Sequence, residues 1–194
     1  MVRSDHRSGK SGIISIGRLR QTKGPGAIRG VSPSLPNTGI SGNNAAMRIA
    51  VLADTHDHCP DGLPERLRGA DEIWHLGDVC EPATLVEIEN LGLPLRVVHG
   101  NCDSNFAWPR DLRLERLGVR FILVHIPPVK TPGEVDVVLH GHTHVPRDET
   151  DQLGVRWLNP GCISRPRGGR PPSFAWIELE HGRLKWSLVP LSRQ

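Results

Sequence analysis

Between residues 48 and 190 short apolar runs alternate with polar turns, and five of the runs stop at residues able to bind metal. Residues 48–53 form one such run, a buried strand leading straight into Asp54. Residues 64–69 fit one short helix, and residues 72–76 a second strand. Residues 82–91 place proline in the first turn and Leu85, Ile88 and Leu91 three apart, which predicts a helix ending near Gly92. Residues 95–99 are a third strand, and residues 111–115 and 119–124 flank Leu117-Gly118 as a hairpin. Prolines at 127, 128 and 132 exclude an ordinary helix over residues 126–132, and residues 135–140 follow as a strand. Beyond His144 the pattern turns to strands alone, at residues 155–158, 173–179 and 183–189. Alternating β and α units with a β-rich end predict an α/β sandwich of two sheets flanked by helices.

The chemistry sits where the apolar runs end. Asp54 and His56 lie two apart beyond the first strand, so their side chains can project to one side. Asp78 follows Gly77, Asn101 follows Gly100, His125 closes the hairpin, and His142 and His144 follow the last central strand. Taken singly, these read as helix capping, turns or a satisfied core histidine. Two imidazoles at i and i+2 beyond a buried strand are harder to dismiss, because burial is costly unless they are used. Five successive strand ends each present a ligand type, and such sheets gather ligands at the carboxyl ends of their strands. Seven donors exceed the needs of one ion and suit two, and their mixture of carboxylate, amide and imidazole fits Mn, Fe, Ni or Zn. His75, His99 and His140 fall in predicted strands and read as buried, hydrogen-bonded supports. His58 is either a substrate contact or a loop residue, Arg165 and Arg167 either meet a phosphate or lie on a surface loop, and His6 and His181 read as solvated.

Composition adds limits. The 194 residues allow one domain with a substantial core. No apolar run approaches the roughly 18–20 residues that cross a bilayer, and Ile13-Ile14-Ser15-Ile16 is too short for a secretory signal. Residues 1–46 carry seven of the 24 basic residues and one of the 21 acidic ones, so residues 47–194 hold 17 basic and 20 acidic. The high basicity belongs to the leader, and the folded part gives no sign of nucleic-acid binding. Rich in Ser, Gly, Pro and Asn and without Phe, Trp or Tyr, residues 1–46 read as a disordered extension, dispensable or preceding a true start at Met47; residues 47–194 read as the domain. Gly9-Lys10-Ser11 resembles the end of a phosphate-binding loop, but Ser4 stands where its first glycine belongs. Cys59, Cys80, Cys102 and Cys162 form no C-x-x-C pair and are expected as free thiols in a reducing cytoplasm, three of them near the proposed ligands.

Asp54-x-His56, Gly77-Asp78, Gly100-Asn101-Cys102-Asp103, His125 and Gly141-His142-Thr143-His144 together resemble the motifs of the calcineurin-like metallophosphoesterases, most of all their small bacterial and archaeal phosphodiesterase branch. Asn159-Pro160-Gly161 with Arg165-Pro166-Arg167 resembles the later signature of that branch, and the likeness covers about residues 47–190. The resemblance implies a four-layer α/β/β/α sandwich of two mixed sheets and two divalent ions, manganese foremost. It implies one ion on Asp54, His56, Asp78 and His144, and a second on Asp78, Asn101, His125 and His142. A hydroxide bridging the ions would attack phosphorus in line, with Asn101 and His142 in catalytic roles, on a small phosphoester in the cytoplasm; the oligomeric state, a homodimer included, is left open. Larger relatives carry histidine after the asparagine; this chain has Cys102, which weakens leaving-group protonation and favours phosphodiesters or activated esters. It also departs from the family at Ile126, where glycine is usual, at the Pro-rich connection that replaces a helix, and at Cys162, where serine is common. Two rival readings are a non-catalytic scaffold resembling the phosphoesterase-like subunit of retromer, and a cysteine hydrolase using Cys102 or Cys162.

Overall fold

The computed structural model describes residues 46–192. The expected extension therefore lies outside the described residues except for Ala46, where the first strand begins. Strand β1 (Ala46–Leu52) has Ile49 to Leu52 fully buried, as a strand covered on both faces must be. It pairs in parallel with β2 (Glu72–His75), which pairs in parallel with β3 (Leu95–Val97). On its other side β1 meets β9 (Ser173–Glu180) in antiparallel register, and β10 (Arg183–Pro190) closes the sheet in the order β10-β9-β1-β2-β3. The second sheet runs β4 (Asp111–Arg116), β5 (Val119–Val124), β6 (Val137–Leu139), β8 (Arg156–Asn159) and β7 (Arg147–Thr150) in spatial order. The hairpin of β4 and β5 leads to β6, parallel to β5 and to β8. The edge strand β7 pairs antiparallel with β8.

Two mixed sheets of an α/β protein are thus present, face to face. Ile49, Val51, Trp74, Leu76, Phe121, Leu123, Leu139, Leu158 and Ile177 fill the space between them. The outer face of the first sheet is covered by α1 (Leu63–Leu67), a 3-10 turn over Pro82–Leu85 and α2 (Val86–Glu89), whose Leu63, Leu67, Leu85 and Ile88 pack with Leu52, Ile73 and Phe174. Over the second sheet, Val135 of the Pro-rich connection packs with Ile122, Val138, Val155 and Trp157. Among the described residues no helix lies in that connection, as its prolines require.

The differences from the sequence pattern are local. The helix expected over residues 82–91 divides into a 3-10 turn and one α-turn, closed by Gly92 at φ 67° with its N–H on the Glu89 carbonyl 2.9 Å away. Strand β7 escapes the pattern because Arg147-Asp148-Glu149-Thr150 is an edge strand without an apolar face. Strand β3 stops at Val97, so His99 belongs to the turn beyond it.

Candidate metal centre

The turns after β1, β2, β3, β5 and β6 meet at one end of the paired sheets. Their backbone takes conformations that side chains ordinarily avoid. Asp54, His56, Asp78, His142 and His144 have φ of 57°, 45°, 57°, 67° and 59°. Each left-handed non-glycine residue costs on the order of 1 kcal/mol or more, and such strain collects at functional sites. Backbone hydrogen bonds hold the turns in register: Asp54 N donates to Gly77 O and His56 N to Asp78 O, both at 3.0 Å. The approach of the second and third turns requires glycine. A Cβ on Gly100 would collide with the Asp78 backbone N and carboxylate, and one on Gly77 would lie 2.8 Å from Gly100 N.

The side chains form two overlapping groups. In one, His144 Nε2 lies 3.3 Å from Asp54 Oδ1, His56 Nε2 lies 3.8 Å from Asp78 Oδ2, and the two Nε2 atoms are 3.2 Å apart. In the other, His125 Nε2 lies 3.3 Å from Asp78 Oδ1 and 3.0 Å from Asn101 Oδ1, and His142 Nδ1 lies 3.0 Å from the same Asn101 oxygen. Asp78 belongs to both. His125 Nδ1 donates to the Leu76 carbonyl at 2.9 Å and His144 Nδ1 to the Arg165 carbonyl at 2.7 Å. Those bonds fix the tautomer and turn both Nε2 lone pairs toward carboxylates. Lone pairs so opposed attract a shared cation: a proton in the ion-free protein, a divalent ion where one is bound. Asp54, His56, Asp78, His125 and His144 fall into groups compact enough for one ion, with Asn101 and His142 against the second group, and the set fits a borderline divalent metal.

The electrostatics agree. Burial raises the Asp54 carboxyl to about 7, against the pull of His125. Burial also works to raise Asp78, but hydrogen bonds from His125 and the Cys102 amide outweigh it and hold the group at about 2. His125 is opposed by burial yet raised overall by Asp78, whereas burial lowers His56 and His142. Further out, His75 is fully buried and lowered to about 3 by desolvation; its Nδ1 accepts from Gly77 N and its Nε2 contacts Thr55 Oγ1, each at 3.2 Å. His140 is likewise buried and lowered to about 4, with Nδ1 3.0 Å from the Gly141 carbonyl and Nε2 unpartnered. His99 departs from expectation: half-buried, stacked on Phe106, its Nε2 without a hydrogen bond.

Two residues quoted above only as members of motifs, Asp103 and Asn159, hold the turns in place. Buried Asp103 accepts from Gly100 N at 2.6 Å, Cys80 N at 2.7 Å and Asp78 N at 3.2 Å, tying the second turn to the third. Asn159 Nδ2 donates to the Gly141 carbonyl at 2.9 Å and to Thr143 Oγ1 at 3.1 Å, bracing the turn that bears His142 and His144. Arg165 and Arg167 line a cleft of about 400 Å³ with His56, Asp78, Asn101, His142 and His144. His58 lines a different cavity, of about 360 Å³, with Pro60, Ile163 and Ser164.

The cysteines correct one expectation. Cys80 and Cys102 are joined as a disulfide, their Cα atoms 5.0 Å apart, and only Cys59 and Cys162 are free. A pair made by the turns of two different strands is invisible to local spacing. Each sulfur faces His56 Nδ1, at 3.6 Å from Cys80 and 3.5 Å from Cys102. The disulfide removes Cys102 as a nucleophile. Burial raises the Cys162 thiol, which donates to the Asp54 carbonyl at 3.1 Å, so neither supports a cysteine hydrolase.

Comparison with known proteins settles the family. Residues 47–182 match the model of the calcineurin-like phosphoesterase superfamily domain. The chain belongs to the calcineurin-like phosphoesterase superfamily. It is 32% identical to a probable metallophosphoesterase of Methanothermobacter thermautotrophicus over 164 residues, covering 74% of this chain and 92% of that protein. To a phosphodiesterase of Methanocaldococcus jannaschii it is 30% identical over 145 residues, 59% of this chain and 83% of the relative. A crystal structure of Vps29 from Entamoeba histolytica shares the fold, with TM-score 0.60, 22% identity and coverage of 75% of this chain and 100% of that one. The expected enzyme class, phosphoester hydrolysis in a family of metallophosphoesterases, is thereby borne out, and the expected two-sheet α/β fold with it. Among the described residues no helix is long and apolar enough to cross a membrane.

Proposed function

We propose that this calcineurin-like phosphoesterase is a phosphodiesterase dependent on two divalent ions. Its working part is residues 47–194, with residues 1–46 an extension. Asp54, His56, Asp78 and His144 would hold one ion, and Asp78, Asn101, His125 and His142 the other. The reading is carried by one observation: His125 and His144 are each tied at Nδ1 to a backbone carbonyl, so that both Nε2 atoms confront carboxylates at 3.3 Å. Manganese is the ion expected, with Ni, Fe or Zn alternatives for the same donors. Such ions supply Lewis acidity toward a phosphoryl oxygen and lower the pKa of water, the source of the nucleophile for in-line displacement.

The chain's own residues do the rest. Asn101 turns its oxygen to His125 and His142, which leaves the amide N–H groups to donate to a phosphoryl oxygen as charge develops there. His142, beside Asn101 on the open side of the cluster, completes the catalytic pair. Arg165 and Arg167, lining the same cleft, would offset the charge of the phosphate before and during reaction. Position 102 holds a disulfide cysteine instead of an imidazole, so no acid stands there to protonate a poor leaving group. That favours phosphodiesters or activated esters, whose leaving groups depart without an added proton.

The test is an assay of the full chain, stripped with chelator and then given Mn, Ni, Zn or Mg, on bis-p-nitrophenyl phosphate and p-nitrophenyl phosphate. Metal should restore activity, with the diester preferred, and Asp78→Ala and His142→Ala should each lower it at least about 100-fold. A folded protein inactive with every metal would refute the enzyme and favour the scaffold reading that the Vps29 fold suggests.

A further inference from the structure

A second cavity opens beside the proposed phosphate cleft. It measures about 510 Å³ and is lined by Asn101, His125, Phe106, Val124, Ile126 and Arg110 among others. Asn101 also lines the cleft that holds Arg165 and Arg167, so the two spaces share a wall. Phe106, Val124 and Ile126 give the second space an apolar side, set against the polar His99, Asn101, Arg110, Asp111 and His125. Phe106 is 85% exposed and Ile126 56%, which is unusual for two large side chains flanking one cavity. The Phe106 ring lies over His99, centroids 5.5 Å apart and planes 25° from parallel, leaving its outer face free.

The loop that carries this ring is anchored at both ends. Ser104 N donates to the Cys80 carbonyl at 3.0 Å and His99 N to the Pro109 carbonyl at 2.7 Å. Between them, Ala107 N donates to Asn105 Oδ1 at 3.1 Å. A flat surface held in advance loses little entropy when another ring stacks on it. Arg110, exposed at the same cavity, forms no ion pair among the described residues, and its planar guanidinium can stack on a ring or donate to a ring acceptor.

We infer that this cavity is the subsite for an aromatic or heteroaromatic ester substituent of the substrate, with Phe106 as its stacking platform. The inference rests on the phosphodiesterase reading for the position of the phosphate. It narrows the substrate class to diesters in which at least one alcohol carries a flat ring, such as an aryl or nucleoside group. Phe106 thereby determines specificity and takes no part in the bond-breaking step.

Two unhydrolysable ligands separate this subsite from catalysis. Phenylphosphonate and methylphosphonate would be titrated calorimetrically into the Mn-loaded full chain and its Phe106→Ala and Phe106→Trp variants. The wild type should prefer the phenyl ligand by roughly tenfold, within the range of aromatic stacking on bases. Phe106→Ala should collapse that ratio toward one, and Phe106→Trp should keep it. In parallel, the ratio of kcat/KM for bis-p-nitrophenyl phosphate to that for glycerophosphoethanolamine, followed by phosphorus NMR, should fall about tenfold in Phe106→Ala. A ratio that stays high in Phe106→Ala, or an equal loss for both ligands, overturns the subsite. Hydrolysis without phenyl preference leaves the phosphodiesterase and removes the subsite. Phenyl preference lost in Phe106→Ala, in a protein that hydrolyses neither diester, does the reverse. Binding of neither phosphonate removes both.

Discussion

At the scale of residues, the site is built from histidines in three distinct electrostatic states, set by what surrounds each ring. His125 is drawn toward protonation by Asp78, His56 and His142 are pushed away from it by burial, and His75 is sealed and neutral. His75, buried behind the cluster, has a direct consequence for stability. Its pKa is about 3 folded against 6.5 for the ordinary side chain, so below pH 6.5 the unfolded chain binds a proton that the folded chain refuses. Its contribution to stability is complete above pH 6.5 and is lost as pH falls from there toward 3. The slope it adds is at most about 1.4 kcal/mol per pH unit. Urea unfolding at pH 7, 6, 5 and 4 should show a shallower acid loss for His75→Gln than for the wild type, and identical slopes would contradict the assignment.

At the scale of elements, the strands matter less than the way their terminal turns are bound together. Asp103 is the clearest case, since one buried carboxylate accepts from amides of both the β2 and β3 turns. Asp103→Asn places an amide where three N–H groups point, and should cost about 2–3 kcal/mol in urea unfolding, because charged acceptors are lost and donors stay buried. A loss under about 0.5 kcal/mol would mean that water satisfies these amides equally well. The same logic explains why Asn159, distant in sequence, matters to the His142 turn: its side chain closes the backbone hydrogen bonds of a loop without regular structure.

At the scale of the whole molecule, two sheets pack through a continuous apolar core, and the cluster caps one end of it. The Cys80–Cys102 bond crosses that end, joining turns separated by 22 residues. Closing a loop of that size restrains the unfolded chain by about 3 kcal/mol. Dithiothreitol should therefore lower the urea midpoint of the wild type, and leave that of a Cys80→Ser/Cys102→Ser variant unmoved. Equal midpoints with and without reductant, or free thiols at both positions by mass spectrometry, would show that the bond does not form.

What the sequence determined by itself was the content of each strand end. Apolar runs such as Val119–Val124 announce a buried strand through their side chains alone, and the ligand type that follows needs no partner to be recognised. Asp54, His56, Asp78, Asn101, His125, His142 and His144 were all legible as candidate donors for this reason. The tertiary structure alone decided what depends on two distant turns meeting. The Cys80–Cys102 pair, the three amides on Asp103 and the wall of Phe106 beside Asn101 each join segments whose separation is set by sheet packing. Edge strand β7 was hidden likewise, because its β character comes from pairing with β8 and not from an apolar face of its own. Local pattern reports what a segment buries; it carries no record of which segment lies against it.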